Sequence, residues 1–232
     1  MSSTTAANRE RYHHGDLRRA LLSAAGALLE EGGAAALSLR EAARRSGVSR
    51  TAPYRHFPDK EALLAALAAE GFRQLSASWR RAEADGGDAD ARLQAVAADY
   101  VAFAREHPAR FRLMFGDFIQ DKDAYPELQQ AARESYRLLQ SAVAERLSQP
   151  DSEGCNVNLG AIGSWVMVHG MANLLIDNKL QGLEDESAQR RLVTALSRIF
   201  ITGLTELTRE NSDCLGVPEC GPNIRDGAGD PT

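Results

Sequence analysis

The sequence predicts an all-α fold: a small N-terminal head of three helices with a tight turn between its second and third, joined to a larger C-terminal helical bundle. Two observations predict it. Most segments are rich in Ala, Leu, Glu, Arg and Gln with apolar residues recurring near every 3.6 positions, while strand-type alternation is nearly absent. Glycine and proline interrupt this periodicity at intervals suited to separate helices.

The first helix is expected from about Asp16, acting as its cap, to Glu31, with Leu17, Leu21, Ala24, Ala25 and Leu28 as its inward stripe and Gly32-Gly33 as its stop. Ser38-Leu39-Arg40-Glu41 opens the second as a capping box, in which the serine oxygen and the glutamate carboxylate satisfy free backbone N–H groups. It ends at Ser46-Gly47, where glycine supplies the positive φ of a sharp turn. A third helix of barely two turns follows from Arg50 to His56, capped by Ser49. Pro53 would remove an early N–H from it. If Thr51 is the cap instead, the proline falls in the tolerated first turn. Ala42, Ala43, Val48, Ala52 and Phe57 are the expected small core that holds so short a helix, which could not stand alone.

Asp59 caps a long fourth helix from Lys60 to about Ala84, and further helices are expected near 91–107, 109–116, 126–149, 157–181 and 187–208. The domains read as a flexible basic arm at 1–15, the head at 16–64, the bundle at 65–208 and a polar, glycine-rich disordered tail at 209–232.

Composition removes several classes of function. Three cysteines, Cys155, Cys214 and Cys220, form neither a disulfide framework nor a zinc-type pairing. No metal or other cofactor is expected. The longest apolar run, Ala161 to Ile176, reads as a buried helix too short to span a membrane, and residues 1–16 lack a secretory apolar stretch. The cytoplasm is the expected compartment.

Charge is unevenly spread. The chain has a net charge of −5, yet residues 1–60 hold ten Lys/Arg against six Asp/Glu, and the remainder 17 against 26. A basic front on an acidic body turns that front toward phosphate. A helix, glycine turn and second helix form a unit that enters the major groove of DNA. Arg50, Thr51 and Arg55 face outward as candidate base readers, arginine offering paired donors and threonine a hydroxyl or methyl. Arg9, Arg11, His13, His14, Arg18 and Arg19 form a basic arm that either reaches a minor groove or is simply solvated.

The stretch from Leu37 to Leu64, LSLREAARRSGVSRTAPYRHFPDKEALL, carries the Gly47-Val48-Ser49 turn, then Tyr54, His56, Phe57 and Asp59-Lys60-Glu61 in fixed order. It resembles the DNA-binding domain of TetR/AcrR-type transcriptional regulators. The resemblance implies that Tyr54, His56 and Lys60, with Ser49 at the head of the helix, hold phosphates; His56 could instead pack beside Phe57. Gly163-Ser164-Trp165-Val166-Met167-Val168-His169-Gly170 is similar to the Trp…His-Gly signature of one regulatory-domain subgroup. Together these imply a homodimeric repressor that leaves a palindromic operator when an unknown, largely apolar effector binds.

Two further sets of residues are candidates. Tyr100, Phe103, Phe111, Met114, Phe115, Phe118, Tyr136, Trp165 and His169 could line an effector pocket, or only pack the core. On the helix at 157–181, Gly163, Met167, Gly170 and Leu174 share a glycine-bearing face, and Leu196, Ile199 and Gly203 follow on the last helix. Two such helices from each subunit would make the four-helix interface that the family implies. An enzyme is the competing class, with His169 as acid or base beside Asp177 or Ser164. There is no GxSxG elbow, phosphate loop or HExxH pair to support it.

Overall fold

A computed structural model describes residues 3–84, 86–148, 157–180, 182–183 and 185–210. Among them are eight α-helices and two short 3-10 turns, and no strand. The helices are α1 (Ser3–Ala36), α2 (Leu39–Arg45), α3 (Lys60–Ala84), α4 (Ala89–Glu106), α5 (Pro108–Phe115), α6 (Pro126–Leu147), α7 (Val157–Ile176) and α8 (Glu186–Glu210). Two compact units emerge, Met1–Gly71 with Ala109–Leu128, and Phe72–Pro108 with Gln129–Thr232.

In the first unit α1 starts earlier than the sequence suggests. Its backbone is helical from Ser3, so residues 3–15 of the arm expected to be flexible are helix and Asp16 is an interior residue, not a cap. No proline lies between Ser3 and Gly15 to stop the helix from extending. Its regular geometry breaks where the sequence places the stop, at Gly33, whose φ of 69° is left-handed. Of the expected stripe, Leu21, Ala25 and Leu28 are buried while Leu17 and Ala24 are half-buried.

Ser38 caps α2 by accepting the Glu41 N–H at 3.2 Å. The capping box is only half made, because the Glu41 carboxylate is engaged by Arg44, at 2.6 and 2.9 Å. An ion pair three residues apart on one helix face competes directly with the backbone N–H for that carboxylate. The turn after α2 closes as a Schellman motif: Val48 N–H bonds the Ala43 carbonyl at 3.1 Å and Gly47 N–H that of Arg44 at 3.2 Å. Gly47 sits at φ 67°, which only glycine adopts without cost.

The third helical element is shorter than expected. In place of an α-helix from Arg50 to His56 there is a 3-10 turn, Ala52–Arg55, with Thr51 at its N-cap position and Pro53 in its first turn. The missing proline N–H explains the change, since the ring cannot continue an α ladder from Ser49 but suits a first turn. Pro53 is buried, and its carbonyl accepts both His56 N–H and Phe57 N–H at 2.9 Å. Ala42, Ala43 and Phe57 form the core beneath it, with Val48 and Ala52 at its margin. Truncating a ring as buried as Phe57 costs about 3–5 kcal/mol.

Residues 109–128 belong to this first unit, not to the bundle. The Glu30 carboxylate on α1 accepts the N–H groups of Ala109 and Arg110, both at 3.1 Å, and so caps α5. Met114 lies against Gly71, where a Cβ would stand 2.5 Å from its sulfur. Glu61 accepts Gln120 N–H at 2.8 Å, and Arg18 pairs with Glu127 at 2.9 Å while lying over the Phe57 ring.

In the second unit α4 packs against α7 and α8. Ion pairs of Arg80 with Glu134 and Arg92 with Glu145 tie α6 to the α3 and α4 residues of the unit. Counted from Val157, α7 has 20 residues and by length and composition could cross a membrane, which corrects the expectation that this run is too short. Its faces are nonetheless used within the protein: Ala161, Ser164, Val168, Met171 and Ala172 are buried. The three cysteines and residues 211–232 lie outside the described residues.

Candidate nucleic-acid interface and ligand cavity

The 3-10 turn and the residues around it form one exposed edge of the first unit. Ser49, Arg50, Thr51, Tyr54, Arg55 and Lys60 are all exposed there, and His56 is half-buried with its ring 6.4 Å from Phe57. Ser49 and Thr51 hydroxyls share a hydrogen bond of 3.3 Å. Asp59 caps α3 by accepting Ala62 N–H at 2.8 Å, which fixes Lys60 at the exposed first turn. Three other arginines of the unit are internally neutralised: Arg44 by Glu41, Arg45 by Glu31, Arg18 by Glu127. Among the described residues Arg50, Arg55 and Lys60 make no ion pair. The edge is therefore basic and uncompensated, the electrostatic condition for meeting phosphate.

The second unit has a partly open cavity of about 20 Å³, room for roughly one water. Its wall includes Trp79 from α3, Val96 and Tyr100 from α4, Trp165 from α7 and Phe200 from α8. Behind it runs a hydrogen-bond chain. The Trp165 indole donates to the Tyr100 oxygen at 3.3 Å, and Tyr100 lies 2.8 Å from His169 Nδ1. The indole can only donate; between Tyr100 and His169 the direction follows the imidazole tautomer. Burial holds the His169 pKa below its ordinary value and pushes the Tyr100 phenol well above its own.

Of the nine expected pocket residues, Tyr100 and Trp165 line this void. His169 stands one hydrogen bond behind it. Tyr136 meets Trp165 edge-on at 6.4 Å and donates to Asn158, while Phe103 packs on His107 at 5.3 Å. Phe111, Met114, Phe115 and Phe118 do not belong with them. They lie in the first unit because the Glu30 cap fixes α5 there; Phe111 and Phe115 pack on each other at 5.0 Å, and Phe118 is exposed. Sequence reasoning misses Trp79, although it stacks on Tyr100 at 6.4 Å. It also misses Ser164, Met167, Ser197, Phe200 and Ile201 as wall residues. Their three- and four-residue spacing on α7 and α8 is the available signal.

The expected interface set also divides. Met167 lines the void, and a Cβ on Gly163 would stand 2.7 Å from the Phe200 ring, so both serve α7–α8 packing within the chain. Leu196 is half-buried. Gly170 and Gly203 face open space, and Leu174, Val166 (64% exposed) and Ile199 (68% exposed) are uncovered.

Comparison with known proteins decides the family. Residues 21–67 match the bacterial regulatory proteins of the tetR family, and residues 93–199 match the tetracyclin repressor-like C-terminal domain. A solved protein of unknown function from Rhodococcus sp. RHA1 is 37% identical, covering 84% of this chain and 98% of its own, with a TM-score of 0.74. The chain belongs to the TetR family. Two other solved structures share the fold. A bacterial regulatory protein of the tetR family from Rhodococcus RHA1 has 17% identity and a TM-score of 0.61, covering 81% of this chain and 96% of its own. The FadR regulator of Bacillus subtilis, in complex with stearoyl-CoA, has 15% identity and a TM-score of 0.62, covering 81% and 97%. None of the curated proteins matches the chain. As a TetR-family member it is a DNA-binding transcriptional regulator with a helix-turn-helix head, and not an enzyme.

Proposed function

We propose that this TetR-family protein is a homodimeric repressor, acting in the cytoplasm, that leaves a palindromic operator when a small, largely apolar effector occupies the cavity between α4, α7 and α8. The observation that carries the reading is the basic edge whose Arg50, Arg55 and Lys60 have no ion-pair partner among the described residues, although arginines close by do. Arg50, Thr51 and Arg55 read base edges, whereas Ser49, Tyr54, His56 and Lys60 hold phosphates and set register.

Dimerisation uses the outward faces of α7 and α8. Val166, Leu174 and Ile199 leave apolar surface open to water, and Gly170 and Gly203 leave room for a close helix from a second copy. Two heads then address half-sites one helical turn apart, about 34 Å. The void is too small for an effector as it stands, so the guest selects a form in which these helices stand apart. A preference of about 3–5 kcal/mol for that form empties the operator.

Selection of genomic DNA fragments by the purified protein, at low and moderate salt, together with sedimentation analysis, tests this. Recovery of a palindromic motif by a dimer is expected. A monomer at micromolar concentration, or no enrichment at either salt, sinks the proposal.

A further inference from the structure

Two serines of the cavity wall have buried hydroxyls with nothing to bond. Ser164 on α7 is 5% exposed and Ser197 on α8 is 2% exposed, and neither oxygen has a hydrogen-bond partner. Serines inside helices commonly bond the carbonyl one turn back; these two do not. Trp79, 6% exposed, forms another stretch of wall, and its indole N–H is likewise unpartnered. The other polar groups of the wall are already committed, Trp165 to Tyr100 and Tyr100 to His169.

The remaining wall is aliphatic, aromatic or methionine, and no residue of it carries a formal charge. A carboxylate, phosphate or ammonium buried there would lose its hydration and find no opposite charge. A plain hydrocarbon would leave both hydroxyls unsatisfied. An uncharged apolar molecule bearing a carbonyl or hydroxyl oxygen meets both conditions. We infer that the effector is of this class, its oxygen held by Ser164 and Ser197 with the Trp79 N–H as a third donor. The inference rests on the reading of the cavity as the effector site.

Three matched probes test it on the full chain: indan-2-ol, indane, and indane-2-carboxylate at neutral pH. The chain has two tryptophans, and both border the cavity, so two ¹⁵N-indole resonances report occupancy directly. Indan-2-ol should shift both and bind about fivefold tighter than indane, the worth of one ordinary hydrogen bond. The carboxylate should bind at least about tenfold more weakly than the alcohol. Ser164→Ala and Ser197→Ala should each bring indan-2-ol toward the affinity of indane, leave indane unchanged, and leave the ligand-free melting temperature unchanged or raised. A serine with only a packing role would instead lower the melting temperature and spare the probe preference.

Equal or tighter binding of the carboxylate, or indane equal to indan-2-ol, overturns the inference while the cavity remains the ligand site. Failure of all three probes to move either indole resonance overturns both.

Discussion

The Tyr100 phenol oxygen lies 2.8 Å from Nδ1 of His169 and accepts the Trp165 indole N–H at 3.3 Å. The His169 imidazole is half-buried at this contact. Burial lowers its pKa, so the unfolded chain takes up a proton near pH 6.5 before the folded one does. Stability is full above pH 6.5 and falls as pH drops from there toward the folded pKa. Urea denaturation at pH 7.5, 6.5 and 5.5 should show this loss in the wild type and a smaller one in His169→Gln. Parallel losses in both proteins would disprove it.

Glu30 caps α5 by accepting the N–H of Ala109, 79 residues later in the chain. Glu30→Ala strips two backbone N–H groups of their acceptor and should cost about 1–2 kcal/mol in denaturant unfolding. Glu30→Gln keeps an acceptor oxygen and should cost less. Equal effects would mean that charge, rather than the cap, matters at this site.

At the basic edge, two substitutions should separate reading from holding. Arg50→Ala should erase about 1–3 kcal/mol of preference at one base position in a binding-site selection. Lys60→Ala should weaken every sequence alike and reduce the slope of log affinity against log salt by about 1.

Ile199→Glu places a carboxylate on an apolar side chain of α8 that is 68% exposed. Sedimentation should show monomers at concentrations where the wild type is paired, with unfolding free energy changed by no more than about 0.5 kcal/mol. Operator affinity should fall with the loss of pairing.

Much of the head is legible in the sequence because its determinants are local. Gly47 needs its left-handed φ, Asp59 caps within three residues, and Pro53 by itself limits where a helix can start. The start of α1 and the capping box are less so; at the latter, Glu41 has a rival partner in Arg44 on the same face. The cavity is half legible. Tyr100 and Trp165 stand out as aromatics, but Ser164 and Ser197 look like any helix serine until burial removes their alternatives. The allegiance of α5 is hidden altogether. Nothing within Pro108–Phe115 tells which core Phe111 and Met114 will join, because the deciding groups, Glu30 and Gly71, are distant in sequence.

The void of about 20 Å³ has a kinetic meaning. A guest larger than a water cannot step in by collision alone; it waits for the surrounding helices to breathe. Its observed association rate should therefore climb with guest concentration only at first and then level off at the opening frequency of the protein. In a cell, that frequency would set the fastest pace at which the regulator can answer a sudden rise in its signal, however abundant the signal becomes.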